Sequence, residues 1–195
     1  MGKGPFELDR YLIRRKVFKL FGGAFHIYDP DQQLVYFYAE QKAFKLKEDF
    51  TVFGDEAKTK PLLRIKARSI IDISATYDIT DAKTGDVVGA CRRKGLKSIL
   101  QDEWEVLDGD ENVIAIAKED SMLLALVRRL LSKLVPQSFV VRNPREETVA
   151  EFNQSFNPFV FKMNLDYSHD RNGDLDRRLG IGLAVCMMAI EGRQN

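Results

Sequence analysis

The stretch Leu179-Gly180-Ile181-Gly182-Leu183-Ala184-Val185-Cys186-Met187-Met188-Ala189-Ile190 carries no charged side chain. It forms the middle of a predicted helix, Leu175–Glu191, with Asp174 placed to cap its start and Gly192 to end it. A helix that is apolar on every face is either enclosed by protein or set in a membrane, and a span needs about 20 apolar residues. This run falls well short, so it predicts a helix buried on all sides. Gly180 and Gly182 each cost about 1 kcal/mol of helix stability relative to Ala. Their presence predicts a wall that approaches the helix closely. A wall of sheet on every side of one helix is a barrel.

The rest of the chain supplies that wall. Tyr77–Thr80, a polar turn over Asp81–Asp86, and Val87–Arg92 form an alternating hairpin. Trp104–Leu107 with Asn112–Ala117 repeat it around Asp108-Gly109-Asp110-Glu111, as do Ala24–Tyr28 with Gln33–Tyr38 and Phe139–Val141 with Thr148–Phe152. Alternation marks half-buried strands, and Asp, Gly and Pro reverse the chain. Tyr11–Leu20, Phe44–Leu46, Phe50–Phe53, Pro61–Arg68 and Phe159–Leu165 read as further strands, about twelve in all. So many short antiparallel strands leave exposed edges unless the sheet closes. The sequence therefore predicts a mostly β fold (α+β), a closed antiparallel barrel of about twelve strands around a buried C-terminal helix.

The 195 residues suit one domain, read as spanning 1–195 with residues 1–10 as a loosely ordered extension. A net charge of +1 argues against a globally basic nucleic-acid binder but leaves room for local patches. Cys91 and Cys186 match no metal-ligand spacing, and a reduced, cytoplasmic monomer is the simplest reading. The start, Met1-Gly2-Lys3-Gly4-Pro5-Phe6, has neither a signal-peptide apolar region nor the hydroxyl that myristoylation wants at position 6.

One more segment departs from the β pattern. Ser121–Val135 gathers Leu123, Leu124, Leu126, Val127, Leu130, Leu131 and Leu134 on one helical face, with Arg128, Arg129 and Lys133 opposite. Such a helix docks its stripe on the sheet or lies in a membrane interface.

An all-apolar C-terminal helix behind a meander of this length resembles the tubby-like C-terminal superfamily, and within it the LURP-one-related proteins and phospholipid scramblases. The similarity covers about residues 11–191. Phe25–Asp29 with Val35–Tyr38, followed by Ala43–Phe53, is similar to that superfamily's opening hairpins. Asp174-Leu175-Asp176-Arg177-Arg178 resembles the acidic approach to the scramblase C-terminal helix. The resemblance implies a barrel wrapped around a central helix and a non-catalytic binding role.

Tubby-type barrels bind phosphoinositide head groups through basic side chains on neighbouring strands, so the resemblance directs attention to cations. Arg64, Lys66 and Arg68 alternate with Leu63, Ile65 and Ala67, and would line the outer face if the apolar set points inward. Arg92, Arg93, Lys94 and Lys97 follow the next hairpin and extend the patch. Clustered guanidinium and ammonium groups suit phosphate; the plainer alternative is a solvated strand face with acidic neighbours. The scramblase likeness also implies calcium near Asp170, Asp174 and Asp176. The EF-hand pattern fails there, because its sixth and twelfth positions, counted from Asp170, hold Leu175 and Ile181, and the plainer reading is a polar turn whose Asp side chains cap the helix.

For catalysis, His26 and His169 have no nucleophile in sequence context, and Phe21-Gly22-Gly23 reads as a turn rather than a phosphate loop. Trp104 reads as a core anchor. The sequence thus predicts no enzyme and no cofactor. It predicts a module that recognises an anionic membrane lipid at the membrane periphery, or alternatively a structural or protein-interaction barrel with no lipid ligand. Scramblase-type transport fits less well, since nothing spans a bilayer.

Overall fold

The computed structural model describes residues 4–17, 23–31, 35–41, 49–68, 75–94, 103–120, 136–155 and 160–191. Alternating sequence becomes strand at twelve places: β1 (Arg10–Val17), β2 (Gly23–Tyr28), β3 (Val35–Gln41), β4 (Asp49–Phe53), β5 (Pro61–Ala67) and β6 (Thr76–Asp81) in the first half. β7 (Val87–Lys94), β8 (Glu103–Leu107), β9 (Val113–Glu119), β10 (Ser138–Arg142), β11 (Thr148–Ser155) and β12 (Phe161–Asp166) follow, and the chain ends in helix α1 (Arg177–Glu191). The expected strand at 44–46, the expected helix at 121–135 and the stop at Gly192 lie outside the described residues.

Each strand pairs antiparallel with its neighbours in sequence, and β1 also pairs with β12, Tyr11 opposite Leu165 and Ile13 opposite Met163. That last ladder joins the two ends of the meander into a closed barrel. Three of the hairpins use one turn device. A short polar side chain at the end of a strand accepts amide hydrogens from residues two to four positions on, which the open turn leaves unpaired. Asp81 Oδ1 accepts from Lys83 and Thr84, at 2.9 and 3.1 Å. Asp108 Oδ1 accepts from Asp110 and Asn112, both at 2.9 Å. Asn143 Oδ1 accepts from Arg145 and Glu147, at 2.9 and 3.0 Å.

The strand period of two decides what faces inward. On β5, Leu63, Ile65 and Ala67 are buried, while Arg64, Lys66 and Arg68 are exposed. Helix α1 fills the interior: every residue from Leu179 to Ala189 is buried. The two glycines mark where the wall comes closest. A Cβ on Gly180 would overlap the Tyr167 ring, 2.7 Å from Cε1, and one on Gly182 would overlap the Ile79 side chain. Trp104 is 2% exposed and belongs to this core. Among the described residues no helix is long and apolar enough to cross a membrane.

Two expectations change in detail. The helix begins at Arg177, and its cap is Asp176 rather than Asp174: Asp176 Oδ1 accepts from the Arg178 amide at 2.8 Å, and its carbonyl accepts from Gly180 at 3.0 Å. Asp174 is drawn away instead by Asn143 and Arg145, 3.0 and 2.6 Å from its Oδ2. The N-terminal residues from Gly4 on, expected to be loose, lie against the barrel. Phe6 packs on Phe37 with ring centroids 4.8 Å apart, Tyr11 Oη donates to the Pro5 carbonyl at 2.9 Å, and Tyr167 N donates to the Asp9 carbonyl at 2.7 Å.

Candidate functional site

The expected basic patch divides once the strands are placed in register. Arg64 and Lys66 stand outward on β5, and among the described residues neither has a carboxylate within 4.0 Å. In-register partners give each a different setting. Arg64 lies between Thr51 of β4 and Thr80 of β6, so a guanidinium sits in a row with two hydroxyls. Lys66 lies between Asp49 and Asp78.

The other cations already hold anions. Arg68 donates from Nε to Asp78 at 2.7 Å and forms a forked pair with Glu111, which the β8–β9 turn presents in a left-handed conformation (φ 69°). The Glu111 and Asp78 hydrogen bonds hold the Arg68 guanidinium firmly protonated, and Arg68 in turn holds the Glu111 carboxyl below its ordinary range. Arg92 donates to Glu105 at 2.7 Å, and Lys94 bonds the same carboxylate while lying 3.5 Å from Glu103. Glu105 is 5% exposed. Burial pushes its carboxyl up, but hydrogen bonds from Lys94 and Arg92 outweigh that and hold it low. The bond to Glu105 likewise raises Lys94.

Arg93 does not belong to the face at all. It stands opposite the buried Trp104, on the inward alternation with Cys91. Its amide donates to the Ala75 carbonyl at 3.0 Å. Lys97 lies outside the described residues. Of the six expected cations, Arg64 and Lys66 stand on the outer face with no carboxylate within 4.0 Å among the described residues, bordered by a neutralised ladder of ion pairs running across β5, β6, β7 and β8. For Arg68, Arg92 and Lys94 the plainer alternative, acidic neighbours, is what the structure shows, though the sequence reading did not identify the carboxylates. Their signal is Glu103 and Glu105 at i, i+2, the same spacing as Arg92 and Lys94 on the preceding strand.

The acidic residues before α1 form the polar turn at the helix entry, and each already has partners. Asp170 has a fully buried carboxylate that accepts from the Asp174 amide at 2.8 Å, the Leu175 amide at 3.2 Å and Arg177 Nη1 at 2.7 Å. Asp174 is held by Asn143 and Arg145, and Asp176 by the amide and guanidinium of Arg178. Their oxygens lock the entry to α1, with the Arg177 guanidinium 4.5 Å above the Tyr167 ring. Among the described residues no group of three acidic, His or Cys side chains could hold a metal ion.

Among the described residues no catalytic constellation emerges. His26 is buried, with Nε2 3.2 Å from Glu56 and its ring stacked near Tyr28. His169 is on the surface, 3.8 Å from Glu151. Cys91 and Cys186 are both buried, and burial pushes the Cys91 thiol far above its ordinary range. A thiol held protonated is a poor nucleophile.

Comparison with known proteins gives a family and nothing finer. No curated protein and no solved structure matches the chain. The family model described as LURP-one-related matches residues 35–188. That segment runs from the first residue of β3 to the last turns of the enclosed helix, so it takes in β3 to β12 and most of α1 but not β1 and β2. The chain belongs to the LURP-one-related family, within the tubby-like superfamily.

Proposed function

We propose that the barrel is a non-catalytic binding module that takes a phosphate of an anionic lipid head group on the outer face of β4–β6. The observation that supports this is the contrast within one face. Arg68, Arg92 and Lys94 are spent on carboxylates, while Arg64 and Lys66 keep exposed charges with no counter-ion among the described residues. Arg64 offers a fork of donors to two phosphate oxygens. The flanking Thr51 and Thr80 hydroxyls can donate to the same group, and Lys66 adds a second positive charge one strand repeat away. The tubby-like resemblance favours the same ligand class. On this reading the protein works at the membrane periphery.

Co-sedimentation with neutral vesicles and with vesicles containing anionic lipid tests the reading. Binding should require anionic lipid and fall as salt shortens the screening length from about 10 Å at 0.1 M towards about 3 Å at 1 M. Protein that ignores anionic vesicles at low salt would leave a structural or protein-interaction barrel as the better account.

A further inference from the structure

A groove of about 410 Å³ lies over β9 and β10, separated from β5 by β6, β7 and β8 in the strand order. Its origin is local. β10 pairs with β9 only as far as Arg142 opposite Ile116, whereas β9 continues back to Val113. The chain leaves the sheet there because Asn143 folds the next residues into a turn and Pro144 has no amide to offer a ladder. Asn143 is 5% exposed, and its Nδ2 is tied to Glu147 at 2.8 Å and Asp174 at 3.0 Å. The wall formed by this turn is thus anchored to the entry of α1.

The register orders the floor. Ile116 stands opposite Arg142, and Val140 stands opposite Lys118, so two apolar and two cationic side chains occupy opposite diagonals. Pro144 closes the apolar side. The cations differ in what they already hold. Lys118 lies 3.7 Å from Glu103 and is shared with the ion-pair ladder of β8. Arg142 makes a 3.4 Å hydrogen bond to the Glu146 carbonyl, and among the described residues no carboxylate lies within 4.0 Å of it.

We propose that this groove binds a small amphipathic carboxylate, its chain on Ile116, Val140 and Pro144 and its head group on Arg142. A carboxylate matches the planar fork of a guanidinium, and the volume suits a single small molecule. Three acids also line the groove, the buried Glu119 and the exposed Asp120 and Glu146, and they disfavour a polyanion, which separates this site from the phosphate face on β5. The two sites are independent, and the failure of one leaves the other standing.

The test is a two-dimensional NMR titration of the full chain with decanoate, decanol and decyltrimethylammonium, each below its micelle concentration. Decanoate should saturate at one site and shift the resonances of Ile116, Val140 and Arg142. The alcohol and the ammonium ion should bind at least about tenfold more weakly, since a charge-assisted hydrogen bond contributes about 1.5–3 kcal/mol and 1.4 kcal/mol is tenfold. Arg142→Gln should weaken decanoate about tenfold, with Arg142→Lys between the two, and Ile116→Asp should abolish binding. Vesicle binding should stay unchanged in all three variants. No saturable binding, equal affinity for the ammonium ion, or decanoate affinity unaltered by Arg142→Gln would each overturn the proposal.

Discussion

Two paired substitutions on one face should behave in opposite ways. Arg64→Gln/Lys66→Gln removes the two cations without a counter-ion, and Arg92→Gln/Lys94→Gln removes two that hold Glu105. Both lower the net charge by the same amount. A cation near an anionic bilayer contributes about 1 kcal/mol, so the first pair should weaken vesicle binding by about 2 kcal/mol, roughly 30-fold. Its melting temperature should barely move, because exposed side chains without specific partners change stability by less than about 0.5 kcal/mol. The second pair strands a carboxylate that is 5% exposed. Leaving a buried acceptor without its donors costs about 1–3 kcal/mol, which lowers the melting temperature by roughly 2–12 °C in a domain of this size. Its vesicle binding should stay within about threefold of wild type, since those charges are already neutralised in the folded protein. Co-sedimentation at 0.1 M salt and a thermal melt on each protein give the four numbers. Equal loss of binding in both pairs would show that overall charge, and not the Arg64 site, governs attraction, and the reasoning would be refuted.

Asp170→Asn leaves Arg177 beside a neutral partner in a half-buried pocket, and urea unfolding should show a loss of about 3–5 kcal/mol; a double cycle with Arg177→Gln should recover part of it if the two are coupled. Gly180→Ala should destabilise by about 1–3 kcal/mol despite Ala's better helix propensity, because the added Cβ meets the Tyr167 ring, and a stabilised variant would contradict the close approach. Glu105 is depressed below its ordinary 4.5 in the folded state, so it contributes stability above that pH and loses it as the pH falls through the folded value. Melts between pH 7 and pH 3 should therefore fall more steeply for wild type than for Glu105→Gln. Leu183→Asp places an unpaired charge among side chains that are wholly buried, and a soluble, cooperatively melting variant would be incompatible with an enclosed helix.

Much of this architecture was legible because its signals are local. A twelve-residue apolar run that cannot span a bilayer and cannot face water leaves enclosure as its only stable setting. The turns were legible for the same reason: Asp81, Asp108 and Asn143 each take amides within four residues of themselves. What was not legible depended on register across strands distant in sequence. Arg68 reads as a free cation until Glu111, 43 residues on, is swung across to meet it. Arg93 reads as a neighbour of Arg92 until the strand period puts it on the other side of the wall, opposite Trp104. The acidic run before α1 reads as a polar turn capping the helix, but its partners Arg145, Arg177 and Arg178 could not be assigned without the fold. The shift of the cap from Asp174 to Asp176 has the same origin, since Asn143 and Arg145 compete for Asp174 from another hairpin.

The filled interior also limits where any ligand can go. Small β-barrels that carry ligands use the space at their axis. Here that space holds α1, whose residues from Leu179 to Ala189 touch the wall closely enough that a Cβ at Gly180 or Gly182 would overlap it. Opening room for a ligand inside would require removing packed side chains at about 2–5 kcal/mol each. The proposed recognition accordingly falls on the outer alternation of the strands, where side chains bear little of the packing. The same placement explains why ion pairs matter on this surface. They neutralise Arg68, Arg92 and Lys94, and leave Arg64, in register between Thr51 and Thr80, with no carboxylate within 4.0 Å among the described residues, which is why the proposed phosphate site is centred there.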